Sequence, residues 1–197
     1  MDVKALLRQF NLRPKKSLGQ NFLVGEYALN SIVQAAEITP DDVVLEIGPG
    51  LGSLTRHLAD VARHVIAVEI DHTLIPPLRS ILSTRSNITI IEGDILQLNP
   101  ADLVQSRLAG GRLVDGKWVD GGLVSQQPIS QSTNFQTTNF QFTTPYYKVV
   151  ANIPYYITSA IIRHLLEAEL KPQAIVLTIQ LEVAQRIIAQ PDDMNLL

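Results

Sequence analysis

The chain has 197 residues, 46% of them hydrophobic, which is enough to bury the core of one domain. It has no cysteine, which excludes disulfides, thiolate catalysis and cysteine-bound zinc; its four histidines lack metal-ligand spacing, and the net charge of −3 does not by itself favour nucleic acid. Because no stretch is apolar enough to span a membrane and residues 1–10 are no signal peptide, we expect a soluble cytoplasmic protein that needs no metal.

The amino terminus is locally basic. An amphipathic helix is predicted to end near Phe10, and Pro14 indicates a break after it. Five basic residues and one acidic residue lie between positions 1 and 24, and they include Arg13, Lys15 and Lys16. Phosphate contacts depend on such patches rather than on net charge, so residues 1–25 form a candidate RNA-binding segment. A solvated helix end and loop is the alternative.

Strands and helices alternate through the rest of the chain. The apolar runs read as buried strands without polar alternation, which is typical of a doubly wound, mostly parallel α/β sheet of Rossmann-like type. Strands are predicted at 43–47, 65–70, 88–94, 148–153 and 174–179, and helices at 26–37, 53–59, 74–82, 101–108, 159–169 and 182–189. In such a sheet, ligands bind outside the carboxyl ends of the strands.

A glycine turn follows the first strand and predicts a ligand cradle. Gly48, Gly50 and Gly52 accept positive φ and let a ligand lie against the backbone. A dinucleotide fingerprint would place glycine where Ser53 stands, and no Lys-Ser or Lys-Thr follows to make a phosphate loop. Glu46 is predicted to face the crevice, where an anion suits a cationic or amino-bearing ligand. The alternative is a turn needed only for helix–strand packing.

Acidic residues end the next two strands. Glu69 lies where an acid of this fold accepts hydrogen bonds from ribose hydroxyls. Asp94 is placed to accept from an exocyclic amine such as adenine N6. Their alternatives are structural: Glu69 could cap the next helix, although Asp71 already offers that, and Asp94 could serve only its turn. Together the two acids predict an adenosine pocket, which NAD and S-adenosylmethionine would both fit.

The fourth predicted strand runs into Asn152-Ile153-Pro154-Tyr155, which favours methyl transfer over hydride transfer. Oxygen acceptors there can converge on an amine, and an aromatic ring can stack on a flat base. Acceptors on the hydrogens of adenine N6 pull this poor nucleophile toward an attacking geometry. No strong base is needed, because the thioether leaves as a neutral molecule. The alternative is an ordinary Pro-Tyr turn.

Several motifs, in this order, resemble the ribosomal RNA small-subunit adenine dimethyltransferase family. They are Lys15–Leu23, Glu46–Gly52, Glu69–Asp71, Gly93–Asp94 and Asn152–Tyr155. The likeness covers roughly 1–108 and 146–194. It implies a class I S-adenosylmethionine-dependent fold. It also implies transfer of two methyl groups to N6 of each of two adjacent adenines near the 3′ end of small-subunit (16S) RNA.

The resemblance also implies residue roles. By the resemblance, one or two residues of each motif would contact the cofactor: Asn21, Leu23, Gly48, Glu69, Asp94 and Asn152. Gly50 of the glycine cradle is a further candidate for cofactor binding. The target adenine would be held by Asn152 and Tyr155, and Pro154, which makes the turn between them rigid, is the third candidate catalytic residue. The basic amino terminus would meet ribosomal RNA in a pre-30S particle, with the protein acting as a monomer.

Three departures from the family pattern stand out. Residues 109–145 are longer than expected, with a hairpin signal at Leu113–Val119 followed by low-complexity sequence, and should emerge at the amino-terminal edge of the sheet. Leu181 stands where the family usually has Lys. The chain is expected to be truncated, lacking further strands and a helical domain. Alternatives are a non-catalytic nucleic-acid-binding assembly or transcription factor with this fold and, disfavoured by Ser53, an NAD or small-molecule enzyme.

Overall fold

The computed structural model describes most of the chain, and the account below concerns that part. The described residues are 2–15, 18, 20, 22, 25–108, 112–114, 117–119, 146–179 and 181–188. The helices are α1 (Val3–Gln9), α2 (Glu26–Ala35), α3 (Ser53–Val61), α4 (Ile75–Leu82), α5 (Pro100–Leu108), α6 (Tyr155–Glu167) and α7 (Leu181–Ile188). The strands are β1 (Val43–Ile47), β2 (His64–Glu69), β3 (Ile88–Glu92), β4 (Arg112–Val114), β5 (Lys117–Val119), β6 (Tyr147–Asn152) and β7 (Ala174–Thr178).

Five strands form one parallel sheet in the order β3-β2-β1-β6-β7. Val44 of β1 lies opposite Val65 of β2 on one side and Lys148 of β6 on the other. The chain therefore moves outward from β1 to β3 and then returns to the other side of β1 with β6. The predicted doubly wound α/β fold is confirmed, and the reversal beside β1 is where such a sheet opens a crevice for a ligand.

The two faces of the sheet bury separate cores because successive strand residues point to opposite faces. Leu45 packs toward Leu103 of α5 and Ile161 of α6. Its neighbour Val44 packs on the opposite face, toward Leu58 of α3. Burial on both faces explains why the strands read as continuous apolar runs, and it places Glu46 on the same face as Val44.

A third apolar cluster attaches the amino-terminal helix to the edge of the sheet. Val3 of α1 is buried against Leu51 of the glycine turn and Leu74 of the turn after β2, and Phe22 packs on the same group. Asp2 caps α1 by accepting a hydrogen bond from the Ala5 amide at 3.0 Å. The basic segment is thus packed beside the carboxyl ends of the strands.

Helix α6 begins earlier than the sequence predicts. It starts at Tyr155, directly after Pro154, rather than at Ser159. Aromatic and β-branched residues lower helix propensity in this first turn, but buried Thr158 donates its hydroxyl to the Pro154 carbonyl at 3.2 Å and Ile157 packs on the core. Tertiary packing therefore overrides the local preference.

The predicted hairpin is confirmed as the antiparallel pair β4–β5, with Leu113 opposite Trp118. The remainder of the predicted insertion, 109–111, 115–116 and 120–145, lies outside the described residues. Strand β6 begins at Tyr147, so the chain enters it at the amino-terminal edge of the sheet. In the part of the chain that the structure covers, no helix has the length and apolar character needed to cross a membrane.

Candidate functional site

A cavity of about 270 Å³ opens at the carboxyl edge of the sheet, where the strand order reverses. Its walls come from the glycine turn, the ends of β2, β3 and β6, and the amino-terminal segment. Six of the predicted site residues line it: Gly48, Gly50, Glu69, Asp94, Asn152 and Pro154. The structure therefore brings together residues that are up to about a hundred positions apart in the sequence.

The glycine turn needs glycine for two separate reasons. Gly50 has φ of 60°, and a Cβ there would lie 3.0 Å from the ring of Phe22. Gly52 has φ of 80°, and a Cβ there would lie 2.9 Å from Cδ1 of Leu78. The Gly52 site fits the packing alternative, since its neighbours are core side chains of α4. The Gly50 site borders the cavity, so the turn serves packing and the cradle together.

Glu69 is held rigidly at the end of β2. Its Oε2 accepts a hydrogen bond from the Gly50 amide at 2.9 Å, and its Oε1 accepts one from the Asp71 amide at 2.8 Å. Burial raises the pKa of Glu69, and these backbone donors oppose that rise. Each carboxylate oxygen has a further lone pair. Glu69 can therefore accept ligand hydroxyls without giving up the bonds that orient it.

Glu46 lies at the floor of the cavity and is only 1% exposed. Its Oε2 has no hydrogen-bond partner among the residues that the structure describes. Burial raises the pKa of Glu46 to about 8. The nearby Thr55 hydroxyl opposes this rise without forming a well-aligned hydrogen bond, and the carboxylate of Glu69 adds to the rise. A buried acceptor without a partner is costly unless a ligand satisfies it. The arrangement suits a ligand with a positive charge or an amino group.

Asp94 follows β3 and stabilises the turn after this strand, which is the structural role that the sequence analysis left open. Its side chain accepts a hydrogen bond from the Leu96 amide at 3.0 Å and so caps the short turn Ile95–Gln97. It also lies on the cavity wall. The turn orients the carboxylate toward the pocket, and its predicted contact with an exocyclic amine stays a prediction.

Strand β6 supplies the wall opposite the glycine turn. It ends at Asn152, whose carbonyl oxygen would lie 4.0 Å from a Cβ placed on Gly48. Pro154 then forms the N-cap of α6 with φ of −60°. The Tyr155 backbone opens the helix, but its side chain lies outside the described part of the structure. The neighbouring Tyr156, which the sequence did not single out, lines the cavity and is 55% exposed.

The amino-terminal segment contributes a wall through residues that the sequence did not single out. Leu18, Gln20 and Phe22 line the cavity, and Gln20 Nε2 donates a hydrogen bond to Asp71 in the turn after β2. The sequence marked residues 15–23 as a loop of polar side chains with a few apolar ones. Residue spacing alone could not show where this loop packs relative to the strands. Three predicted site residues, Lys16, Asn21 and Leu23, lie outside the described residues.

Asp71 anchors that segment. It is buried, and it accepts hydrogen bonds from Lys15 Nζ at 2.7 Å, from Gln20 Nε2 at 2.7 Å and from the Thr73 amide at 3.0 Å. The last bond caps the short turn His72–Leu74, whereas the helix that Asp71 was predicted to cap, α4, has Leu74 at its N-cap. Lys15, predicted to contact RNA, thus has its ammonium group on a buried carboxylate. Within the described ranges, no group of three or more histidine or acidic side chains is arranged to hold a metal.

Comparison with known proteins identifies the family. The family model for ribosomal RNA adenine dimethylase matches residues 11–195. The chain belongs to this family. One curated relative is the ribosomal RNA small subunit methyltransferase A of Dehalococcoides mccartyi strain 195. It is 38% identical to this chain over 195 residues, which cover 99% of this chain and 54% of that protein. The protein of the same name from Moorella thermoacetica is 41% identical over 187 residues, covering 95% and 55%.

Solved structures agree with this membership. The 23S rRNA methyltransferase ErmE superposes with a TM-score of 0.57 at 34% identity, covering 84% of this chain and 50% of that one. A dimethyladenosine transferase from Plasmodium falciparum superposes with a TM-score of 0.59 at 26% identity, covering 88% and 48%. The chain spans about half the length of the curated relatives it matches.

Proposed function

We propose that this chain is the catalytic part of an S-adenosylmethionine-dependent ribosomal RNA methyltransferase. Its substrate is small-subunit (16S) rRNA, in which two adjacent adenines near the 3′ end become N6,N6-dimethyladenosine. Membership of the ribosomal RNA adenine dimethylase family supports this function. The observation that carries it is the position of Asn152 and Pro154, which line the same cavity as Glu69 and the glycine turn. A methyl donor and an acceptor base could meet there.

The pocket fits the cofactor on three observations. Gly50 presents bare backbone where a Cβ would collide, Glu69 offers oriented acceptors to a ribose, and Glu46 has a buried oxygen without a partner. We assign Asp94 to the adenine amine and include Asn21 and Leu23 in the cofactor site. The cofactor supplies a methyl group on a positively charged sulfur. Such a charge beside Glu46 would favour its ionised form over the protonated form that burial favours without a ligand.

The end of β6 positions the acceptor base. We assign Asn152 to accept the hydrogens of the target N6 and Pro154 to fix the turn that presents it. Tyr155 stacks on the base, which returns about 1–3 kcal/mol of the few kcal/mol needed to unstack it. The N6 lone pair is then free to attack. No strong general base is required at this position, because a proton can leave N6 after the methyl group has been transferred.

RNA contacts belong to the basic segment at the amino terminus. Arg13 is exposed beside the pocket-lining residues, and Lys16 adjoins Lys15 in the sequence. We propose that Arg13 and Lys16 meet phosphates of the small-subunit RNA within a pre-30S particle, in the cytoplasm, with the protein acting as a monomer. The ammonium group of Lys15, predicted from the sequence for the same role, is already paired with Asp71. Electrostatic contacts of this kind are sequence-independent, so they orient the RNA while the end of β6 selects adenine.

Calorimetric titration with S-adenosylmethionine tests the cofactor site. We expect the folded chain to bind it, and Glu69→Ala to weaken binding by about 10- to 100-fold, because hydrogen bonds to a charged acceptor are worth about 1.5–3 kcal/mol. Asn152→Ala then separates catalysis from mere binding. A non-catalytic RNA-binding protein would tolerate Asn152→Ala in every assay, whereas the methyltransferase would lose methyl transfer. Failure of the folded wild-type chain to bind the cofactor would contradict the proposal.

A further inference from the structure

Four side chains join the amino-terminal segment to the turn after β2, and we name this group the clasp: Lys15, Gln20, Asp71 and Thr73. Lys15 Nζ donates to Asp71 Oδ1 at 2.7 Å and to Thr73 Oγ1 at 3.3 Å. Gln20 Nε2 donates to Asp71 Oδ2 at 2.7 Å. Gln20 also accepts from the Lys15 amide at 2.8 Å through its Oε1. Both oxygens of Asp71 are therefore used to hold a segment more than fifty positions away.

The clasp is continuous with the cavity on both sides. On one side, Gln20 itself lines the cavity, next to Phe22, whose ring covers Gly50. On the other side, the Asp71 amide donates to Glu69 Oε1 at 2.8 Å. A shift of the clasp would therefore move one cavity wall and disturb the acceptor proposed for the ribose.

The charge of Asp71 makes the clasp strong. Burial alone would raise its pKa, but the hydrogen bonds from Lys15, Thr73 and Gln20 together outweigh burial and lower the pKa to about 2. Asp71 is thus ionised at every pH at which the protein would work. Hydrogen bonds with an ionised partner are about twice as strong as neutral ones. The Lys15 side chain is 39% exposed, so its removal should not disturb the core.

We propose that Asp71 and Lys15 are positioning residues that hold Gln20 and Phe22 against the cofactor pocket. The inference rests on the proposed function and refines it. Lys15 acts on the affinity for the cofactor, while the neighbouring Arg13 acts on the affinity for RNA. Two basic residues of one segment then serve different ligands, although the sequence alone gives them the same role.

The test compares variants in two binding assays on the whole chain. S-Adenosylmethionine affinity is measured by calorimetry, and RNA affinity by anisotropy of a labelled single-stranded oligonucleotide with two adjacent adenines. We expect Lys15→Met and Asp71→Asn each to weaken cofactor binding by about tenfold, which corresponds to about 1.4 kcal/mol. The double variant should bind the cofactor little worse than either single variant, because each single variant already breaks the same Lys15–Asp71 ion pair. Lys15→Arg should retain most of the affinity.

Two controls define the result. Arg85→Met removes an ion pair of 2.6 Å with Asp60, away from the cavity, and should leave cofactor binding within about twofold. Arg13→Met should weaken RNA binding more than Lys15→Met does, with cofactor affinity unchanged. If Lys15→Met instead weakens RNA binding as much as Arg13→Met and leaves cofactor binding intact, the proposal is overturned.

Amide exchange separates failure of the clasp from failure of the proposed function. If the folded wild-type chain binds no S-adenosylmethionine, the proposed function fails whatever the clasp does. The clasp still predicts faster hydrogen exchange at Gln20 and Phe22 in Lys15→Met and in Asp71→Asn than in Arg85→Met. Equal exchange in all three variants would overturn it. Lys15→Met keeps this test valid even if Asp71→Asn does not fold.

Discussion

The two edges of the sheet both bury charged groups, but they treat them differently. At the amino-terminal edge, Lys148 Nζ lies 3.0 Å from Asp42 Oδ2 and donates to the Glu37 carbonyl at 2.6 Å. Asp42 also accepts from the Thr39 amide at 2.7 Å. Burial would raise the pKa of Asp42, but these hydrogen bonds together lower it. Both of these buried charges therefore have partners among the described residues.

The carboxyl edge is left short of positive charge. Asp71 has Lys15, but in the described part of the chain no lysine or arginine pairs with Glu46 or Glu69. Burial raises the pKa of both glutamates. Internal pairing marks the amino edge as a structural device. At the carboxyl edge, two buried carboxyl groups with raised pKa values and no basic partner among the described residues mark a place where a cationic ligand would be favoured. A buried charge that is paired within the protein thus indicates a structural role, whereas a buried carboxyl group without a basic partner indicates a binding site.

The largest expected effect comes from breaking the internal pair. Lys148→Met leaves Asp42 buried and unpaired, and should lower the free energy of unfolding by about 3–5 kcal/mol, because the remaining charge keeps its desolvation cost. Urea denaturation followed by circular dichroism measures the change. Cofactor affinity of the folded fraction should not change, since the pair lies at the opposite edge of the sheet.

A matched variant sharpens this result. Lys148→Met combined with Asp42→Leu removes both charges and should regain much of the lost stability. Arg85→Met, at an exposed ion pair, should cost less than about 1 kcal/mol. A cost for Lys148→Met no larger than that for Arg85→Met would contradict the structural role of the amino edge.

A smaller effect is expected from pH. The unfolded Glu46 carboxyl has a pKa of 4.5, but the folded one stays protonated up to about 8. Folding therefore holds a proton that the unfolded chain releases, so the ligand-free protein should lose stability as pH rises from about 4.5 to about 8, by at most about 1.4 kcal/mol per pH unit. Glu46→Gln should flatten this loss.

Urea midpoints at pH 5.5 and pH 8 measure the difference. Glu69 has a raised pKa as well and contributes in the same direction, so some loss should remain in Glu46→Gln. Asp71 has its pKa lowered to about 2, so its contribution is constant over this range and disappears only in acid. An identical pH dependence in wild type and Glu46→Gln would show that Glu46 is not a buried, protonated group.

The smallest effect is expected from deleting residues 112–142. Since β6 is entered at Tyr147, at the amino-terminal edge, the deletion should leave cofactor affinity within about twofold. Calorimetry on the shortened chain checks it, with circular dichroism to show that the protein is folded. Loss of cofactor binding in a folded protein would place the insertion at the carboxyl edge instead.

The sequence was sufficient for the sheet and for most of the cavity wall. Continuous apolar strands ending in Glu46, Glu69 and Asp94 predict which edge carries polar groups, because parallel strands bring their carboxyl ends together. The predicted start of α6 was wrong by four residues, since the aromatic and β-branched residues of its first turn have little helix propensity, whereas Ile157 packs on the core and Thr158 bonds to Pro154.

Long-range pairs could not be predicted. Lys148 and Asp42 are over a hundred positions apart, and Lys15 and Asp71 over fifty, so no periodicity connects them. Their pairing depends on strand register and on how the amino-terminal segment packs, which are set by the whole fold. That is why Asp71 was assigned only to a helix cap and Lys15 only to RNA.

The strand order also fixes when the cavity can exist during synthesis. The glycine turn, Glu69 and Asp94 all precede residue 95. The part of the wall formed by Asn152 and Pro154 requires β6, which begins at Tyr147. At a synthesis rate of about 5–20 residues per second, several seconds pass before the chain has the wall that β6 and the start of α6 supply. The cavity is complete only when β6 inserts beside β1 and the early and late parts of the chain meet.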